Sequence, residues 1–226
     1  MKIKTTIALL FLFSACVSNT TDNINTSFPS VPFVPYKQMD KGLPFTIENY
    51  QGKENGRQLP AWLDVYLLNG VHGVENLPAY NGKYCFVLEQ SGSSLDILNR
   101  FEDSFKVGRN FTQMSFDRIF QNFIKDSNTA PDILYGSSFK KIMTIVSSSS
   151  WNKPVHENSF WLFLHWTGND EDMIDTYKIY ILTSIEKSVF QNQFKSITNA
   201  VVADKTDGRE QVSAFSRKID DFFDTF

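Results

Sequence analysis

The chain has 226 residues, 22 of them Lys or Arg and 25 Asp or Glu, for a net charge of −3 at pH 7. Mild acidity with no basic stripe excludes nucleic acid or an anionic lipid surface as the main partner. The 21 Phe, 8 Tyr and 4 Trp each enclose roughly 150–250 Å² of ring surface when buried, which supplies a real core and excludes a chain disordered throughout.

In chain order, Lys2 and Lys4 come first, then the uncharged apolar run 7–13, then Ser14-Ala15-Cys16. A basic region, an apolar region and small residues at a cut form a secretory signal peptide. The apolar run is far short of the ~20 residues that span a bilayer. The junction resembles the lipobox of bacterial lipoproteins. It departs from the usual pattern in having Phe13 three places before the cysteine, with Leu12 one place earlier. That departure keeps open an ordinary signal-peptidase cut or a looser lipobox of the spirochaetal kind; the plainer alternatives are an uncleaved anchor and a buried N-terminal helix. The resemblance implies that residues 1–15 are a signal peptide and that Cys16 carries diacylglycerol and palmitate-like acyl chains. It also implies a lipid-anchored membrane protein of the cell envelope. Removing Lys2 and Lys4 with the signal takes the net charge from −3 to −5.

Residues 17–41 are rich in Ser, Thr, Asn and Asp, with Pro29, Pro32 and Pro35 at three-residue spacing. Such a composition cannot bury enough surface to offset chain entropy. Residues 16–44 therefore read as the lipidated cysteine and a flexible tether, extended around its prolines. Ser30-Val31-Pro32-Phe33-Val34-Pro35-Tyr36 is more apolar than a pure linker. It reads as lying along the domain surface, or as a docking motif.

Residues 45–226 read as one domain. Pro60, Trp62, Leu63, Tyr66 and Leu67 fit a short helix over 60–69, stopped by Asn69-Gly70. Asn81-Gly82 is a turn, and 84–90 is a strand. Leu95, Leu98, Phe101 and Phe105 mark the apolar face of a helix, with Ser93 or Ser94 as its cap. Phe116, Ile119, Phe120, Phe123 and Ile124 form a second stripe. Tyr135, Phe139, Ile142, Met143 and Val146 form a third. Residues 159–167 and 176–184 are strands of a hairpin with apolar residues on both faces, which predicts cover on both sides. Phe190, Phe194, Ile197 and Val201 face inward from a further helix. Val212, Phe215, Ile219, Phe222 and Phe226 form a narrow seam on a last one. That seam is either domain core or the docking surface for a protein partner or a second copy of this chain, because so short a helix is marginal alone. The element order predicts an α+β fold: a small antiparallel-rich sheet with several amphipathic helices packed mainly on one face.

No pattern for catalysis, cofactor or metal emerges. Cys85, inside Tyr84-Cys85-Phe86-Val87-Leu88, reads as an inert core thiol. Asp170, Glu171, Asp172 and Asp175 crowd the hairpin loop without EF-hand spacing and read as a solvated turn. His72, His156 and His165 share no metal-ligand spacing. Gly92-Ser93-Ser94 and Gly136-Ser137-Ser138 match neither a phosphate loop nor a nucleophile elbow.

Pro60-x-Trp62, Asn81-Gly82-Lys83-Tyr84 and Tyr177-x-Ile179-Tyr180-Ile181-Leu182 resemble a group of uncharacterised spirochaetal lipoproteins. The Pro-x-Trp near the domain start is also similar to small flagellar and outer-membrane lipoproteins. The resemblance does not imply an enzyme and supplies no site residues. The expected function is a non-enzymatic envelope lipoprotein that binds or organises other envelope components. The alternative is a periplasmic ligand-binding or hydrolytic domain with an aromatic-lined pocket.

Overall fold

A computed structural model describes residues 45–124, 131–166, 175–202, 215, 217–219 and 221–226. Its elements are β1 (Phe45–Tyr50), α1 (Ala61–Glu75), β2 (Lys83–Gly92), α2 (Leu95–Ser104), α3 (Val107–Ile124), α4 (Pro131–Ser148), β3 (Val155–Trp166), β4 (Thr176–Glu186), α5 (Lys187–Val202) and a last turn α6 (Phe222–Thr225). The strands form one antiparallel sheet in the order β1-β3-β4-β2. The fold is α+β, as the element order predicts.

The sheet is covered on both faces, and unequally. α1 lies on one face and lays Trp62, Leu63 and Val74 against Cys85, Phe160, Leu162, Tyr180 and Leu182. The opposite face takes Leu98 of α2 over Ile179 and Ile181. Beside it, Tyr84, Phe86 and Ile185 meet buried residues of α3, α4, α5 and the C-terminal residues. Strand β4 is buried continuously from Ile179 to Ile185 because it is central and covered on both sides.

Several elements differ from expectation for identifiable reasons. α1 continues to Glu75, past Asn69-Gly70, although Gly70 itself is non-helical with φ 65° and ψ −166°. Only glycine adopts that conformation readily, so it kinks the helix without ending it. His72 consequently lies in a helical turn and not in a loop. Strand β1 has no counterpart in the sequence reading. Its register shifts between Ile47 and Asn49, which breaks the alternation that marks a strand. In α3 the buried face is Phe111, Met114, Ser115, Ile119, Asn122 and Phe123. Phe116 and Phe120 are half-buried beside it and stack on each other at 6.2 Å. The α4 stripe is buried as expected, from Tyr135 to Val146. Ser94 caps α2 without a side-chain hydrogen bond.

Phenylalanine rings knit the helical face together. Trp151 stacks on Phe190 at 4.4 Å, and Phe194 stacks on Phe222 at 4.6 Å. The edge of Phe226 meets Tyr84 at 4.9 Å, and Phe123 stacks on Phe215 at 6.1 Å. Phe215, Phe222 and Phe226 are buried and Ile219 is half-buried, while Val212 lies outside the described residues. The seam expected to serve core or partner is, in its described part, packed inside the domain.

Candidate functional site

Strand β2 is an edge of the sheet. It pairs with β4 over ten residues, and no described strand lies on its other side. Its outward backbone groups need partners, since a buried unpaired N–H or C=O is costly. At Cys85 side chains supply them. The Cys85 N–H donates to Glu75 Oε1 at 2.7 Å, and Arg118 Nη1 donates to the Cys85 carbonyl at 2.8 Å. Glu75 and Arg118 also bind each other through both nitrogens, at 2.7 and 3.3 Å. Arg118 Nη2 donates to a main-chain oxygen of Phe226 at 2.8 Å. Its guanidinium lies 4.3 Å from the Phe226 ring centre and 5.2 Å from that of Phe86.

This clamp joins both layers of the domain. Glu75 comes from α1 on one face, Arg118 from α3 on the other, and they meet across the β2 edge. Their side chains are 7% and 14% exposed, so the pair is held in a dry setting. Desolvating both charges offsets much of their attraction, but losing either partner would strand the other. Cys85 beneath them is fully buried, and its thiol is pushed up to about 12, first by burial and then by Glu75 and Glu157. A thiol held protonated is a poor nucleophile, in keeping with the inert reading.

Beyond the clamp the edge opens. A cleft of about 400 Å³ runs between α1 and α3. Its floor is Cys85, Phe86, Val87 and Leu88. One wall is Tyr66, Gly70 and Val71, and the other is Met114 with Asp117, Arg118 and Gln121 at its rim. A Cβ built on Gly70 would meet nothing within 4 Å, so the kink opens space on the cleft side of α1. The far end is fixed by Tyr66, whose hydroxyl donates to Glu89 Oε1 at 2.7 Å. Glu89 also pairs with Lys178. Burial, then the bond to Glu89, raises the Tyr66 hydroxyl well above its ordinary value, so it stays a donor. In an antiparallel strand the direction of hydrogen bonding alternates by residue. Val87 and Glu89 therefore turn their backbone groups outward as Cys85 does, and Val87 does so at the floor of an apolar cleft.

Of the other expected sites, His72 touches the clamp, while His156 and His165 lie apart from it. His165 Nδ1 sits 2.8 Å from Asp175 at the base of the hairpin. Asp170, Glu171 and Asp172 lie outside the described residues. His72 is 3.4 Å from Glu75, and His156 lies beside Phe105 at 5.4 Å. Burial lowers the His156 pKa, outweighing Glu102. No group of three His, Cys, Asp or Glu among the described residues could hold a metal ion. Cys16 lies outside the described residues. The sequence reading missed the Glu75–Arg118 clamp, whose members are 43 residues apart. One signal was present: Arg118 falls one turn from Met114, Ser115 and Asn122, on the buried stripe of α3. A charge on such a stripe calls for a buried partner.

No protein-family model, curated protein or solved structure matches the chain. The class defined by fold and site alone is an α+β domain with one half-guarded sheet edge opening into an apolar cleft.

Proposed function

We propose that this chain is a lipid-anchored cell-envelope protein whose domain binds other envelope components by taking an extended apolar strand along β2. The observation that carries the recognition half is the cleft, where Val87 offers an outward backbone between the apolar walls of α1 and α3. Strand addition uses those groups for affinity and the flanking pockets for alternate side chains. The polar groups nearby support binding more than turnover, since Glu75 and Arg118 are engaged with each other. The anchor half rests on Lys2, Lys4, the apolar run 7–13 and Ser14-Ala15-Cys16. No described helix is long and apolar enough to cross a membrane. Acyl chains on Cys16 would contribute ~0.8 kcal/mol per buried CH₂, enough for firm attachment with two or more chains.

Metabolic labelling with a fatty-acid analogue tests the anchor. The wild-type chain takes up label and pellets with membranes, and Cys16→Ser does neither. An unlabelled wild type, or a Cys16→Ser variant that still pellets, overturns it. For the cleft, Val71→Arg places a charge on its wall and abolishes capture of apolar extended peptides. Unchanged capture overturns the β2 site.

A further inference from the structure

Resting on the reading of the β2 cleft as a strand-binding site, we propose that its resident occupant is the chain's own segment 30–36, Ser30-Val31-Pro32-Phe33-Val34-Pro35-Tyr36. The cleft has apolar walls on both sides, Tyr66 and Val71 on one and Met114 on the other. A strand lying there needs apolar side chains on both of its faces. Segment 30–36 has them, with Val31 and Phe33 on one face and Pro32 and Val34 on the other. It carries no charge, and none occurs between Asp22 and Lys37. That suits a cleft whose buried cation, Arg118, is already paired with Glu75.

The prolines fit the backbone requirement. Val31 and Phe33 would turn their N–H and C=O toward β2. Pro32 would then point outward, where its missing N–H removes no ladder bond. Pro35 would be the next proline to point inward, and it would end the pairing. The reach is also sufficient. Described structure begins at Phe45 on β1, and β1 and β2 are opposite edges of the sheet. Three strand spacings separate them by about 14 Å. Phe45 pairs with Trp166 near the end of the sheet that holds Gly92. Val87 therefore lies a further ~17 Å along the strand direction. The stretch between Phe33 and Phe45 covers up to ~40 Å when extended, which allows a path around the end of the sheet. A segment so placed shortens the tether between Cys16 and the domain.

A labelled peptide with the sequence of residues 28–36 tests this. It is titrated into the full chain and into a full chain carrying Val31→Asp and Phe33→Asp. Neither substitution touches a described core residue. A tethered occupant competes at millimolar effective concentration, so the variant should bind the free peptide roughly tenfold more tightly than the wild type. Adding Val71→Arg to the variant should remove that binding. Equal affinity for wild type and variant would overturn the resident occupant while leaving the cleft as a strand site. Absence of binding to both, or binding indifferent to Val71→Arg, would overturn the cleft reading along with it.

Discussion

β1 and β2 both run along an edge of the sheet, yet they are built in opposite ways. β1 is six residues long and shifts register between Ile47 and Asn49, whereas β2 keeps unbroken register over ten pairs. Exposed edges invite unwanted strand pairing, and short or bulged edge strands discourage it. β1 relies on that device. β2, long and regular, relies on side chains: Glu75 and Arg118 occupy the backbone of Cys85, and the guard stops there. Where it stops, the cleft begins. One edge is poor for any strand, and the other is closed at one point and borders an apolar cleft at the next.

The sharpest way to break this contrast is to remove the guard. Arg118→Ala strands a buried Glu75 and leaves the Cys85 carbonyl without its donor. It should lower urea-derived stability by ~3–5 kcal/mol. A loss below ~1 kcal/mol would mean that water reaches the clamp freely. Replacing both members, Glu75→Leu with Arg118→Met, should be milder than Arg118→Ala, because no lone charge remains and only the Cys85 backbone groups go unmet.

The next effect is at the cleft wall. Gly70→Ala meets no steric neighbour, so its penalty comes only from φ 65°, ψ −166°. A loss of ~1–3 kcal/mol by urea titration is expected. A neutral result would show that the kink relaxes into regular helix, and the cleft should then narrow. On the opposite edge, Ile47 is half-buried, so Ile47→Ala should cost only about 1 kcal/mol. A cost equal to that of Arg118→Ala would erase the distinction between the edges.

The smallest effect is a pH dependence. In the folded chain the Cys85 thiol is raised to about 12, so the fold holds its proton more tightly than the unfolded chain does. The resulting stability is fully present below the ordinary thiol value and falls as pH climbs from there toward about 12. Relative to Cys85→Ala, the wild type should lose about 0.5 kcal/mol more between pH 8 and pH 9. Parallel pH profiles for the two would show that the thiol titrates normally.

How much of this was legible in the sequence depended on range. The stripe from Tyr135 to Val146, the hairpin strands and the buried Cys85 follow from periodicity within a dozen residues, and they stand as expected. Features set by distant partners did not. β1 hid behind its bulge, and Gly70 read as a stop because a glycine that ends a helix and one that kinks it look alike in sequence. Phe120 looked equivalent to Phe139 on its own stripe. The core face of α3 is rotated toward Phe111 and Met114, which leaves Phe120 half-buried and Phe139 buried. Nothing local announces that Glu75 and Arg118 meet, and so the cleft edge they define was invisible.

Arg118 also sets a clock. Its contact with Phe226 closes a loop of 108 residues. A chain that emerges N-terminus first, from a ribosome or across a membrane, presents the second partner 108 residues after the first. The end of β4 at Glu186 emerges only partway through that wait. The four strands can therefore pair before the latch on β2 has its last acceptor. During that interval the longest edge of the sheet is the least guarded part of the emerging molecule.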